Sequence, residues 1–98
     1  MGDRIIEFHP DALKEAESAR DWYAERSLFA SRAFLSELFR SVEKIAENPE
    51  MWPLFEKGTR RYVFERFPFN LIYRTVNKKL QIVAVAHAKR KPGYWKNR

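Results

Sequence analysis

After Asn48-Pro49 the apolar residues of this chain stop recurring at a helical spacing and start recurring at a strand spacing. That change leaves few architectures open. Before it, Ala12, Ala16, Ala19 and Tyr23 fall at i, i+4, i+7 and i+11, one face of a helix predicted from Pro10 to Arg26. Pro10 suits the first turn and Asp11 the positive end of the helix dipole. Ser27 is placed as the N-cap of a second helix, Leu28 to Glu47, with the apolar stripe Phe34/Leu35, Leu38, Val42 and Ile45/Ala46. Asn48-Pro49 ends it. A connection this short folds the two helices back into a hairpin.

Past the loop from Trp52-Pro53 to Gly58, three runs read as strands: Arg61 to Phe67, Phe69 to Val76 and Leu80 to His87. Pro68 and the polar turn Asn77-Lys78-Lys79 separate them, so consecutive strands pair antiparallel. The near-continuous apolar run from Leu80 to Ala86 fits a strand buried on both faces. It therefore takes an interior position, with a short N-terminal strand of Ile5, Ile6 and Phe8 beside it. The order is βααβββ, an α+β fold with a helical hairpin packed on a mainly antiparallel sheet, as a single domain over residues 1–98. Trp22, Leu38, Val42, Ile72, Ile82 and Ala84 are predicted core; Tyr23, Phe29, Phe34 and Phe39 join Trp22 as helix-face core. Trp52 and Phe55 are expected to cover the sheet edge.

The chain has no cysteine, which excludes disulfides and Cys-containing zinc sites. The start, Met1-Gly2-Asp3-Arg4-Ile5-Ile6-Glu7, lacks the apolar core of a signal peptide, and no stretch approaches the roughly 18 apolar residues that span a bilayer. A cytoplasmic protein with no membrane partner is the expectation. The histidines, His9 and His87, lie far apart, and the C-terminal half has only Glu56 and Glu65 as carboxylates, so neither a metal site nor a cofactor is expected.

Charge is unevenly divided. Residues 1–50 carry 7 Lys/Arg against 11 Asp/Glu, net −4, and residues 51–98 carry 12 against 2, net +10. Such asymmetry points to a polyanion or an acidic protein as partner of the C-terminal half. The segment His87 to Arg98 is basic, aromatic and free of acids. Arg60, Arg61, Arg66, Arg74, Lys89 and Arg90 spread over the strands, where arginines on neighbouring strands can converge on a phosphate or carboxylate. His87 suits a general acid or base, or else caps its strand by hydrogen-bonding a neighbour. Tyr94 and Trp95 either stack on a partner or pack back on the helical hairpin.

The βααβββ order, the phrase Arg66-Phe67-Pro68-Phe69-Asn70-Leu71-Ile72-Tyr73-Arg74 and the ending Ala84-Val85-Ala86-His87-Ala88-Lys89-Arg90-Lys91-Pro92-Gly93-Tyr94-Trp95 together resemble the RelE/ParE superfamily of type II toxin-antitoxin toxins. The resemblance implies a toxin held in a hetero-oligomer by a cognate antitoxin with an acidic, partly disordered segment. It also implies one of two activities. RelE-like members cleave messenger RNA on the ribosome without a metal; ParE-like members bind DNA gyrase and are not enzymes. Where the RelE pattern has lysines and an arginine, this chain has Val63, Phe64, Glu65 and Asn70, and only Arg90 and Tyr94 match its late arginine and terminal aromatic. The resemblance therefore favours the ParE-like branch. A nuclease would draw on His87, Arg90, Tyr94, Arg61 and Arg74, whereas target or antitoxin binding would use Arg61, Arg66, Arg74, Lys89, Arg90, Tyr94 and Trp95.

Overall fold

Both helices begin where the sequence places their starts, the first with a cap, His9, that the sequence reading did not name. In the structure, a computed structural model describing residues 5–98, the His9 side chain accepts a hydrogen bond from the Asp11 N–H and Pro10 opens helix α1 (Pro10–Ala24). Ser27 Oγ accepts from the Ala30 N–H at 3.2 Å to start α2 (Leu28–Glu47). Ahead of them runs strand β1 (Ile5–Phe8); after them come a 3-10 turn (Glu56–Gly58) and strands β2 (Arg60–Val63), β3 (Phe69–Val76) and β4 (Lys79–His87). Met1 to Arg4, part of the polar start read above, lie outside the described residues. No helix among the described residues is long and apolar enough to cross a membrane.

The sheet order is β1-β4-β3-β2, with β1 parallel to β4 and the other pairs antiparallel. The last strand is interior, as its near-continuous apolar run requires, and the first lies beside it. Asn77 and Lys78 both take positive φ in the two-residue turn joining β3 to β4, which matches the twist of the paired strands. β2 is shorter than expected and stops at Val63. The Glu37 carboxylate, buried on α2, accepts from the backbone N–H groups of Glu65 and Arg66 and holds residues 64–68 in a turn instead.

Ala12, Ala16 and Ala19 let α1 settle closely on the sheet, while Phe34, Leu38, Val42 and Ile45 of α2 pack against Tyr62, Phe64, Leu71, Tyr73, Leu80, Ile82 and Val85. Phe34 sits at the centre of an aromatic group with Tyr23, Phe64, Phe67 and Phe69. Three expected core residues are instead exposed: Trp22 by 51%, Phe29 by 83% and Phe39 by 59%. Phe29 and Phe39 each lie five residues from buried Phe34, and five steps of about 100° turn a side chain some 140° away. Trp22 stands three residues, about 60°, from the Ala19 face.

The opposite face of the sheet is also covered. Ile72, Val83, Ala84, Ala86 and Trp95 form a second cluster with Phe55 and Tyr94 against it. Trp95, 3% exposed, thus packs on the sheet and not on the helical hairpin. Phe55 joins it in a ring stack at 5.6 Å, while Trp52 packs on Tyr62. The loop carrying them does line the edge of β2, where Pro53 O accepts from the Arg61 N–H.

Candidate functional site

β1 pairs with β4 only as far as Ile82, because at His9 the chain turns away into α1. Beyond that point no strand among the described residues pairs with the edge of β4, and side chains complete it. Glu15 of α1 accepts from the Val85 N–H at 2.9 Å, and Arg98 donates to Val83 O at 3.1 Å. The two partners bind each other through paired hydrogen bonds of 3.0 and 2.9 Å, with side chains 16% and 14% exposed. Tyr94 adds its hydroxyl to the same carboxylate at 2.8 Å. Gly93, at φ +88, makes the reversal that brings Tyr94 and Trp95 back; a Cβ there would lie 2.8 Å from Lys96.

A groove of about 570 Å³ opens between α1 and this end of the sheet, lined among others by Lys14, Trp22, Phe69, His87, Arg90 and Tyr94. His87 Nδ1 accepts from the Lys89 N–H at 3.1 Å and the ring stands edge-on to Phe69, which leaves Nε2 as the available nitrogen. The Arg90 guanidinium lies 3.8 Å over the Tyr94 ring and 3.9 Å from Glu15. Burial, and after it the hydrogen bond to Glu15, hold the Tyr94 phenol well above its ordinary 10.0. Tyr94 is thereby a committed donor and a poor proton acceptor. No three His, Asp or Glu side chains converge as a metal site would need among the described residues.

The remaining candidates lie elsewhere. Arg61 opposes Ile72 across the β2–β3 pair, on the Trp95 face, with its guanidinium 4.6 Å over Phe55. Arg74, two residues after Ile72, shares that face and donates to Gln81 and to Arg98 O. Arg66 and Lys89 are exposed on the turns flanking the groove. So the structure gathers His87, Arg90 and Tyr94 and leaves Arg61 and Arg74 behind the sheet.

The model of one family, the ParE toxin of the type II toxin-antitoxin system parDE, matches residues 6–92. This chain belongs to the ParE toxin family. The fold agrees: the chromosomal ParDE system from P. aeruginosa superposes with a TM-score of 0.64 at 20% identity, over 88% of this toxin and 97% of that chain. The isolated E. coli RelE toxin gives 0.59 at 18% identity, over 95% and 93%. No protein of curated function matches the toxin by sequence.

Several groove residues escaped the sequence reading, above all Lys14, Glu15, Ser18 and Trp22. Lys14, Ser18 and Trp22 lie at i, i+4 and i+8, a mixed stripe beside the alanine face of α1. That stripe was a legible signal. The role of Glu15 was not, because it depends on residues of the last strand and tail.

Proposed function

We propose that this ParE-family toxin acts on DNA gyrase as a binding poison, and that a cognate antitoxin with an acidic segment neutralises it in a cytoplasmic hetero-oligomer. One observation carries the choice of a poison over a nuclease: the cations that a phosphate-cleaving site would draw on are divided between the two faces of the sheet. RNA cleavage needs a base near the attacking hydroxyl and cations around the phosphate at one place. Here Arg61 and Arg74 stand behind the sheet, Arg74 is engaged with Gln81 and Arg98, and the Tyr94 proton is bound to Glu15. A binding surface tolerates such division, since each exposed cation contributes on its own. The net +10 of residues 51–98 supplies the complement for an acidic antitoxin, and exposed Leu28, Phe29 and Phe39 on α2 supply its apolar contacts.

A metal-independent messenger RNA interferase is the second reading. What favours it is that His87, with Nε2 available, and Arg90 share one groove. The test is to incubate purified toxin with gyrase, ATP and plasmid, trap cleaved DNA with detergent and protease, and assay transcript cleavage in a translating extract in parallel. Gyrase-dependent linear DNA with intact transcripts is expected. Cleaved transcripts that His87→Ala abolishes in a folded protein, with no gyrase-dependent product, would replace this reading by the second.

A further inference from the structure

Most arginines near the C-terminal end are occupied by their own chain. Arg60 donates to Trp52 O and Glu50 O, Arg74 to Gln81 and Arg98 O, and Arg98 to Glu15. Arg66, Lys89 and Lys91 differ. All three are exposed, and none makes an ion pair among the described residues. They stand on two turns, 64–68 and 87–91, which the Ala88 N–H ties together by donating to Pro68 O at 2.7 Å. Each turn is fixed through its backbone. Glu37 accepts from the Glu65 and Arg66 N–H groups, His87 Nδ1 from the Lys89 N–H and His87 O from the Arg90 N–H. Counting Arg90, the two turns carry four cations against one carboxylate, Glu65.

We infer that this rim is a contact surface for the phosphodiester backbone of duplex DNA. The inference rests on the gyrase reading and deepens it: the DNA would be the segment that the target enzyme holds, so that the toxin grips enzyme and DNA together. Charge held on a fixed backbone suits phosphates, which position a protein without reading bases. Duplex is favoured over single strands because single strands are gripped by open aromatic faces, and the rings beside this rim carry cations or lie buried, although Trp22 stays half exposed. The Arg26 guanidinium lies 3.6 Å over Trp22, Arg90 and Arg98 lie 3.8 and 5.1 Å over Tyr94, and Trp95 is buried. The rim therefore offers charge more than stacking surface.

The experiment titrates the toxin, without gyrase, into a fluorescein-labelled 20-base-pair duplex and follows anisotropy as salt is raised. Weak, sequence-independent binding is expected, with Kd on the order of 10⁻⁴ to 10⁻⁶ M near physiological salt. The slope of log affinity against log salt should fall by about one for each of Arg66→Gln, Lys89→Gln and Lys91→Gln, and stay constant for Arg40→Gln on α2. These are exposed positions, and melting curves establish that each variant is folded. No binding at the lowest salt, or equal slopes for parent and triple variant, would overturn the inference. So would a single-stranded RNA bound tenfold more tightly than the duplex. Gyrase-dependent cleavage by a toxin that binds no DNA removes this inference alone; rim-dependent duplex binding without gyrase-dependent cleavage removes the gyrase reading and leaves the rim.

Discussion

Replacing Glu15 by alanine should be among the most damaging single changes outside the apolar core. The carboxylate accepts from the Val85 N–H, the Tyr94 hydroxyl and two Arg98 nitrogens, all at 2.8 to 3.0 Å. Each group left without its acceptor in a part-buried place costs about 1–3 kcal/mol. The Tyr94 hydroxyl can turn to solvent, and Arg98 keeps Val83 O and a 3.8 Å contact with Asp11, so the sum falls short of the full count. A loss of about 3–5 kcal/mol is expected, as for removing one partner of a buried ion pair. Domains have only about 5–15 kcal/mol in all. Glu15→Gln keeps one acceptor oxygen and should cost roughly half as much. Because Arg98 suffers from the same loss, Glu15→Ala and Arg98→Ala should be non-additive by about 2 kcal/mol in a double-mutant cycle. Urea unfolding gives the energies, and amide exchange at Val85 gives the local reading. The reasoning is refuted if Glu15→Ala costs under about 0.5 kcal/mol, or if Val85 exchanges at the parent rate in the folded variant.

Trp95→Ala should destabilise by about 3–5 kcal/mol, since a buried ring is lost from the outer face. Trp95→Phe should cost far less because the indole N–H finds no acceptor among the described residues; urea midpoints compare the two. Tyr94 ionises at higher pH in the folded than in the unfolded chain, so its stabilising contribution is whole below pH 10.0 and is lost as pH rises beyond it. Tyr94→Phe, though weaker at neutral pH, should therefore show a shallower alkaline decline in melting temperature. Lys78→Gly should stabilise by about 0.5–1 kcal/mol, because Lys78 holds φ 68 in the hairpin turn; thermal unfolding checks the sign.

Helix starts, the hairpin and the change of period were readable because caps and spacing are local. Ser27 and Pro10 needed no knowledge of the sheet. The side of the sheet on which His87 falls was harder for a specific reason, a bulge. Ile72 opposes Ala84 and Tyr73 opposes Ile82, so Val83 is an extra residue that reverses the alternation of β4. Counting in twos from inward Ile82 would send His87 to the outer face beside Arg74. Val83 instead turns Val85 and His87 inward, toward α1. An apolar run from Ile82 to Ala86 conceals the bulge, since either parity looks buried. The exposure of Phe29 and Phe39 follows from helical geometry alone and was recoverable by counting from Phe34. The fixing of the tail was not, since Glu15 and Arg98 come together only when the sheet exists.

The parallel pairing of β1 with β4 also has a consequence in time. On the ribosome, β1 and both helices emerge while the strand they must border has not yet been made. Phe34, Leu38 and the alanine face of α1 then lack the surface that covers them, and Ile5 has no Lys79 to pair with. Domains whose decisive contacts span the sequence fold late. A nascent chain of this toxin thus cannot close its sheet or fix its tail until the last residues arrive.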